Sequence, residues 1–269
     1  MLNISDFDFV FGYKDGKNLH FDDSGLIREI EFIAFPETVF QVEDIIRKKD
    51  SIIYKVTTSD YPYLTDKGYF IDSRFVKIVN NKPIVRPKIL SSREEIIDKL
   101  MSAEGSIYVW GGNYKDGILQ IISFYPPDSA ISPSLERQGI LKGVDCSGLL
   151  YEATNGYTPL NTSMLVDFGV PVKIAGLTSE KIISKLRPLD IMVWKGHVIV
   201  VLDQTRTIES RLDYHKQKEN KYRGVVIRDL KQVLNEVLSE RIPVDNYKDN
   251  INGEKQKFVI RRWFNIMNE

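Results

Sequence analysis

The chain has little cysteine and little histidine. Cys146 is the single cysteine among 269 residues, and the histidines are His20, His197 and His215. An intrachain disulfide and a Cys-rich metal or redox motif are both excluded, because each needs at least two cysteines. The cysteine is therefore either a small buried hydrophobic residue or a reactive thiol.

Neither charge sign is in excess, and long apolar runs are missing. The 37 lysines and arginines equal the 37 aspartates and glutamates, so the net charge indicates no nucleic-acid partner. No apolar run approaches the roughly 18 residues that a membrane-spanning helix needs. The first residues lack the basic and apolar segments of a secretory signal. We therefore expect no membrane span and a cytoplasmic chain as written, or a periplasmic or exported one if a signal has been removed. The sequence indicates no particular oligomeric state.

The pattern of the chain changes near residue 90. Before it, short β-rich runs separated by turn residues are typical of a small barrel or sandwich. These runs are 26–35, 38–42, 51–57 and 70–79. Pro83 and Pro87 then indicate an extended connector. The sequence thus predicts a small all-β domain at 1–90 and a second domain at 91–269.

The second domain combines helix and strand patterns. Ser92 and Asp145 each predict a helix start, and Asn155-Gly156 predicts the end of the second helix. The remaining predictions are a strand-like piece at 107–113, strands at 189–193, 198–202, 207–209, 225–227 and 258–264, and a helix at 229–238. Helices followed by a sheet predict an α+β domain. Residues 113–144 are predicted to be rich in loop.

The residues around Cys146 favour a reactive thiol. In Asp145-Cys146-Ser147-Gly148 the sulfur lies in the first turn of a predicted helix, where amide donors and the helix dipole lower the pKa of a thiol. A thiol nucleophile also needs a base. His197 is the best candidate because it begins an apolar strand beside a glycine. His20 lies in the small domain, and His215 lies in a charged surface loop.

A third polar group usually orients a catalytic imidazole, and Glu209 is the candidate. A strand pairing antiparallel with 198–202 across the turn 203–206 would bring Glu209 near His197. A carboxylate there would favour a thiolate–imidazolium pair. From the residues alone, Glu209 can also be a surface strand residue, His197 a buried structural histidine and Cys146 core packing.

The ordered motifs resemble those of the NlpC/p60 family of papain-like bacterial cell-wall cysteine peptidases. The matching blocks are Tyr108-Val109-Trp110-Gly111-Gly112, Asp145-Cys146-Ser147-Gly148-Leu149, and Pro188-Leu189-Asp190 through Gly196-His197-Val198. The resemblance covers roughly residues 92–265. The N-terminal region is similar, in pattern alone, to the small bacterial SH3-like barrel that often precedes this domain. The resemblance implies an α+β papain-like catalytic domain after an SH3-like barrel.

The resemblance implies hydrolysis of peptidoglycan stem peptides, commonly at the γ-D-glutamyl–meso-diaminopimelate bond, without a metal or cofactor. Cys146 matches the nucleophile and His197 the base. Glu209 falls at the third polar position, which is more usually His, Asn or Gln. Asp145 and Ser147 match positions that contact the amine of a free N-terminal L-Ala.

Further residues are candidates for substrate binding. Ser163 falls where the family often carries an Arg-x-Ser-like segment, with Asn161 in place of the arginine. Trp110 is a candidate contact, although packing is the commoner role of a tryptophan. The candidates to close a substrate cleft from the predicted barrel are Tyr61, Tyr63 and Tyr69. The stretch 113–144 exceeds the family's usual link and is a lid, a specificity loop or a surface excursion.

Two other functional classes stay open. An acyltransferase or amidase could use the same Cys-His scaffold, since an amine can resolve a thioester as well as water can. An inactive cell-wall-binding module is the other class, with Glu209 marking lost catalysis. The missing signal favours muropeptide recycling inside the cell or a non-standard export route.

Overall fold

The structure is a computed structural model that describes Val10 and residues 19–48, 51–63, 65–81, 83–126, 130, 132–212, 224–250 and 256–264. His215 and the loop predicted around it lie outside these ranges. The chain folds as two compact units, of which unit 1 joins 1–88 with 109–143 and unit 2 joins 89–108 with 144–269. The domain boundary at residue 90 stays a prediction.

The secondary structure of the described residues is as follows. The strands are β1 (Gln41–Arg47), β2 (Ile52–Thr57), β3 (Tyr69–Asp72), β4 (Asn113–Tyr114), β5 (Gly143–Val144), β6 (Val170–Pro171), β7 (Ile191–Trp194), β8 (His197–Val201), β9 (Arg206–Arg211), β10 (Gly224–Asp229), β11 (Arg241–Pro243) and β12 (Gln256–Arg262). The helices are α1 (Arg93–Ser102), α2 (Gln120–Phe124), α3 (Pro133–Gly139), α4 (Cys146–Ala153), α5 (Thr162–Leu165), α6 (Ser179–Ile183) and α7 (Leu230–Glu240). Within the described ranges, none of these helices has the length and apolar character needed to cross a bilayer.

Unit 1 contains an antiparallel sheet with the strand order β1-β2-β3. Strand β2 confirms the predicted run at 51–57. Strand β1 begins later than predicted and continues to Arg47, while β3 ends at Asp72, where a 3-10 turn, Ser73–Phe75, follows. The described residues show no closure of these strands into a barrel. The SH3-like barrel stays a prediction.

The strand predicted at 26–35 is wrong. Apart from an isolated bridge residue, Ile30, they form turns and irregular backbone, although Leu26 and Phe32 are buried. The amide of Ile33 donates to the Asn113 side chain at 2.7 Å, and the Asn113 side chain donates back to the Ile33 carbonyl at 2.8 Å. A side chain distant in sequence thus satisfies backbone groups that a neighbouring strand would otherwise satisfy.

Residues 113–144 contain more regular structure than predicted. Helix α2 leads into Tyr125, which is buried and whose hydroxyl donates to the carboxylate of Asp72. Helix α3 begins at Pro133 after the N-cap Ser132. The described part of 113–143 therefore contributes helices and a buried aromatic residue to unit 1.

Unit 2 is built on a sheet with the order β10-β9-β8-β7-β12-β11, and β6 also pairs with β12. Strand β11 is parallel to β12, and the other neighbours are antiparallel. The predicted runs from 189 to 227 correspond to the consecutive strands β7 to β10. Of the strand-like piece predicted at 107–113, Ile107 forms an isolated bridge with Gly224, and Asn113 begins β4. The predicted mixture of helices and sheet is confirmed.

The buried apolar side chains of this sheet belong to two separate clusters. Val193 and Val198 belong to the cluster that includes residues of α1 and α4, among them Cys146. Met192 and Ile199 belong to the cluster with residues of α6 and α7. Neighbouring residues of one strand enter different clusters because side chains alternate across a strand. Helices therefore pack on both faces of the sheet.

The helix starts of unit 2 agree with the capping residues in the sequence. Ser92 and Glu95 form a complete capping box at α1. Asp145 caps α4, and Asp229 caps α7. Each cap satisfies amide groups that the first turn of a helix leaves without partners. The predicted starts of these three helices are confirmed.

Candidate active site

Cys146 is the first residue of α4, directly after the N-cap Asp145. The Oδ1 atom of Asp145 accepts hydrogen bonds from the amide of Ser147 at 3.0 Å and from the amide of Gly148 at 2.6 Å. The amide of Cys146 has no intrahelical acceptor, because it belongs to the first turn. The structure thus places the sulfur and a donor-rich helix end together.

His197 begins β8 after the tight turn that joins this strand to β7. In the turn, the amide of Gly196 donates to Oγ1 of Thr162 at 2.9 Å, and the amide of Lys195 donates to the Tyr247 hydroxyl at 3.3 Å. Gly196 has a φ of +110°, which glycine adopts far more readily than other residues. Two side chains from elsewhere in unit 2 therefore fix the turn that carries His197.

The strand pairing brings Glu209 to His197. Strands β8 and β9 are antiparallel, as the sequence predicted, and Val200 lies opposite Ile208. Nε2 of His197 lies 2.7 Å from Oε2 of Glu209. A carboxylate accepts the hydrogen bond from Nε2–H, so the network leaves Nδ1 as the basic nitrogen of the neutral ring.

Glu209 is a buried carboxylate with cationic neighbours. Burial alone raises its pKa, but the hydrogen bond and charge of His197, the charge of Arg211 and the hydrogen bond from Arg228 together lower it below its usual value. Nη1 of Arg228 is 3.2 Å from Oε1 of Glu209, whereas Nη1 of Arg211 is 3.9 Å away. Glu209 is therefore ionised at neutral pH, as an orienting role for His197 requires.

The thiol of Cys146 is buried and protonated. Burial and then the charge of Asp145 raise its pKa well above the usual range, and the amides of Val198 and Ser147 oppose this shift. The lowered pKa expected at the helix start is therefore wrong, because removing a thiolate from water outweighs the donors around it. The structure thus contains a thiol rather than a preformed thiolate–imidazolium pair.

Gly196 connects the cysteine to the histidine. The sulfur of Cys146 is 3.8 Å from the Gly196 carbonyl oxygen, to which the thiol donates. Among the described residues, the hydrogen bonds of Cys146 and His197 include none between the thiol and the ring. The structure brings His197 to Glu209 directly and Cys146 to the backbone beside His197. The catalytic roles of these residues stay predictions.

The predicted amine-binding residues Asp145 and Ser147 are linked to each other. The Ser147 hydroxyl donates to Oδ1 of Asp145 at 3.2 Å. Ser163 is exposed at the start of α5, and its amide donates to Oδ1 of Asn161 at 2.9 Å. Asn161 therefore serves as the N-cap of this helix. Substrate contacts by Asp145, Ser147 and Ser163 stay predictions.

Trp110 belongs to unit 1 and is 37% exposed. The guanidinium of Arg28 stacks on its ring, with Cζ 4.6 Å from the ring centroid. An aromatic ring that remains partly open to solvent can contact either a cation or a ligand. Its role as a substrate contact stays a prediction.

The predicted tyrosines also lie in unit 1 and have partners there. The Tyr61 hydroxyl donates to Glu31 at 2.6 Å, and its ring forms an edge contact with that of Tyr63. The Tyr69 hydroxyl donates to the Tyr63 carbonyl at 2.8 Å, and burial raises the pKa of Tyr69 to about 12. Closure of a substrate cleft by these residues stays a prediction.

Three residues of the site escaped the sequence analysis. Thr162 and Tyr247 hold the turn before His197, and Arg228 binds Glu209. The sequence signal for Arg228 is weak: it directly follows the short apolar run 225–227. Within the described ranges, no group of three or more His, Cys, Asp or Glu side chains could hold a metal ion.

No protein-family model and no curated protein matches the chain. Solved structures similar to it include one described as an NlpC/P60 family protein from Bacillus cereus ATCC 10987. It is 16% identical, the match covers 83% of this chain and 53% of that one, and the TM-score is 0.35. This chain thus spans about half the length of that structure. Family membership therefore stays a resemblance.

Another similar structure is RipD from Mycobacterium tuberculosis, described as a non-catalytic NlpC/p60 domain protein with an adaptation to peptidoglycan-binding function. It is 14% identical, and the match covers 63% of this chain and 95% of that one, with a TM-score of 0.32. With TM-scores below 0.5, neither structure shows what this chain does.

Proposed function

We propose that the chain is a cysteine peptidase that hydrolyses peptidoglycan stem peptides at the γ-D-glutamyl–meso-diaminopimelate bond. The 2.7 Å contact between His197 and Glu209 carries this proposal, because it orients the ring of a base whose chain neighbour, Gly196, contacts the buried thiol of Cys146. A thiol, an imidazole and an orienting carboxylate are the parts that acyl transfer needs. The order of the sequence motifs supports the choice of substrate.

His197 takes the thiol proton as the sulfur attacks. Glu209 engages Nε2, so Nδ1 is the nitrogen that accepts this proton. Because the thiol of Cys146 starts protonated, proton transfer and attack on the scissile carbonyl occur together. The carboxylate of Glu209 stabilises the imidazolium that results.

The remaining steps follow the usual course of a thioester mechanism. Attack on the carbonyl carbon moves the carbonyl π electrons to oxygen, and the Cys146 amide donates a hydrogen bond to that oxyanion. His197 then protonates the diaminopimelate nitrogen, the C–N bond breaks and a thioester remains. Water, deprotonated by His197, attacks the thioester and releases the γ-carboxylate of D-glutamate and the thiol.

The carboxylate of Asp145 supports a substrate with a free amino terminus. An ammonium group and a carboxylate form a charge-assisted hydrogen bond, which is stronger than a neutral one. The proposed ligand of Asp145 and Ser147 is the amine of an N-terminal L-Ala. Peptides of this kind are free fragments rather than intact wall, which favours muropeptide recycling. The compartment stays a prediction.

A non-catalytic peptidoglycan-binding module is the second candidate function. The observation that favours it is the buried thiol, whose raised pKa works against nucleophilic attack. On this hypothesis the site retains affinity for stem peptides without cleaving them.

Assays with peptides of defined sequence distinguish a peptidase from a binding module and from an acyltransferase. We expect the wild type to convert L-Ala-γ-D-Glu-meso-diaminopimelate to L-Ala-D-Glu and free diaminopimelate, and Cys146→Ala to be inactive with an unchanged circular dichroism spectrum. The same peptide with an acetylated N-terminus is the matched substrate control and should be cleaved poorly. Binding without cleavage by the wild type supports the module, and an amide formed with an added amine supports an acyltransferase.

A further inference from the structure

Arg228 contacts the oxygen of Glu209 that His197 leaves free. Nε2 of His197 engages Oε2 at 2.7 Å, and Nη1 of Arg228 donates to Oε1 at 3.2 Å. Strands β9 and β10 pair with Glu209 opposite Val226, which makes Arg228 a diagonal neighbour on the same face. A carboxylate held at both oxygens cannot rotate without losing one of these contacts.

Arg228 is itself held from α7. Its Nη2 donates to both carboxylate oxygens of Glu236 at 2.6 Å, and Nε2 of Gln232 donates to Oε1 of Glu236 at 3.0 Å. A planar guanidinium anchored in this way presents its other N–H groups in fixed directions. We call Glu209, Arg228 and Glu236 the Arg228 bridge, which leads from partly exposed Glu236 to buried Glu209.

Charged groups face Glu209 from three strands. They are His197 on β8, Arg211 on β9 and Arg228 on β10, and Glu236 of α7 lies behind Arg228. Arg211 is too distant for a hydrogen bond, at 3.9 Å, so Arg228 is the arginine that bonds the carboxylate. If a buried charge loses an oppositely charged partner, its cost of removal from water is no longer offset by that interaction.

We propose that Arg228 is a positioning residue that keeps Glu209 directed at Nε2 of His197, so that Nδ1 remains free for the Cys146 proton. This inference rests on the proposed function, because it assigns Arg228 a task in the same proton transfer. The alternative is that the bridge only fastens α7 to the sheet. That alternative predicts a loss of stability with no change at the His197 ring.

Variants of the full chain separate the two roles. Arg228→Met removes the donors, Arg228→Lys keeps the charge without the planar fork, and Glu236→Gln weakens the outer anchor. Arg206→Met is the matched control, because Arg206 lies on β9 but pairs with Asp203 in an exposed turn. Proton NMR with 15N-labelled histidine reports the Nε2–H of His197, which a carboxylate acceptor moves far downfield.

We expect this downfield proton in the wild type and in Arg206→Met, and its loss to solvent exchange in Arg228→Met. Turnover of the tripeptide should fall about 10- to 100-fold in Arg228→Met, as is typical when the support of a catalytic group is removed, with KM changed less than about twofold. Arg228→Lys should regain part of this loss. Arg206→Met should turn over like the wild type.

A retained downfield proton together with wild-type turnover in Arg228→Met would overturn the proposal. If Arg228→Met does not fold, Arg228→Lys and Glu236→Gln decide: both should weaken the signal, and an unchanged signal in both contradicts the positioning role. If the wild type does not cleave the tripeptide, the proposed function fails. The NMR comparison still decides whether Arg228 positions Glu209.

Discussion

Cys146 and Glu209 are both buried acids, but their surroundings shift their pKa values in opposite directions. Burial and the charge of Asp145 raise that of Cys146. Burial also acts to raise the pKa of Glu209, but His197, Arg211 and Arg228 together lower it below its usual value. The site therefore holds its negative charge on the carboxylate that orients the base and keeps the nucleophile neutral until it reacts.

The raised pKa of Cys146 predicts slow alkylation at neutral pH. Only the thiolate reacts with iodoacetamide, so the labelling rate should keep rising with pH beyond the value near 8.5 at which a free cysteine titrates. Intact-mass spectrometry over a pH series measures this rate, and Cys146→Ser supplies the background. Labelling that reaches its plateau below pH 7 would contradict a protonated thiol.

Asp145 has two separable roles, as a helix cap and as a charge. Asp145→Asn should keep the cap and the free energy of unfolding, whereas Asp145→Ala should cost about 1 kcal/mol. Both variants remove a negative charge beside the thiol, so both should lower the pKa of Cys146 and speed its alkylation at pH 8. Urea unfolding and labelling rates measure the two effects.

If Asp145 binds the substrate amine, Asp145→Asn should also raise the KM for the tripeptide with a free amino terminus. The KM for the acetylated tripeptide should stay unchanged. Equal changes in KM for both peptides would contradict amine recognition by Asp145.

At the scale of elements, local signals predicted the helix starts and failed for several strands. Ser92 and Asp145 act on amides within their own first turn, so a short sequence window contains the whole interaction. The run at 26–35 has the apolar residues of a strand, but its backbone partner is the distant Asn113. Pairing partners distant in sequence are not visible in a local pattern.

The candidate site shows the same difference between interactions that are local in sequence and those that join distant residues. Cys146, His197 and Glu209 could be proposed from the sequence because the strand turn and the helix cap are local and because the motifs occur in a familiar order. Thr162 and Arg228 were missed, because only the packing of distant elements brings Thr162 to Gly196 and Arg228 to Glu209. The raised pKa of Cys146 was also missed, since burial depends on the whole unit.

The turn before His197 predicts a specific effect of Gly196→Ala. A side chain at a φ of +110° strains the backbone even though a Cβ there would meet no atom within 4 Å. We expect a loss of stability of about 1–2 kcal/mol and a fall in kcat of about tenfold or more, because His197 moves with the turn. Urea unfolding and tripeptide turnover measure both.

Gly176→Ala is the matched control for Gly196→Ala, because Gly176 also has a positive φ, +70°, and open space around its Cβ position. It should lose stability without losing turnover. Equal losses of turnover in the two variants would show that His197 does not depend on its turn.

At the scale of the whole molecule, each of the two compact units is built from two separate stretches of the chain. Residues 109–143 belong to unit 1, where Asn113 bonds Ile33 and Tyr125 bonds Asp72. A fragment of 91–269 would keep this stretch but lose its partners. Buried apolar residues such as Ile121 would then be exposed.

We therefore predict that the fragment 91–269 binds the dye ANS strongly, since ANS reports exposed apolar surface. A second fragment, in which a short glycine linker replaces 109–143, should bind less ANS and melt at a higher temperature. Fluorescence titration and thermal unfolding of the two fragments measure the difference. Equal ANS binding would contradict the assignment of 109–143 to unit 1.

The most direct test of the whole account is detection of a thioester on Cys146. Acid quenching during tripeptide turnover, followed by peptide mass mapping, should find the L-Ala-γ-D-glutamyl group on the peptide that contains Cys146, and Cys146→Ala should show neither adduct nor turnover. Turnover with no such adduct, and undiminished in Cys146→Ala, would contradict Cys146 as the nucleophile.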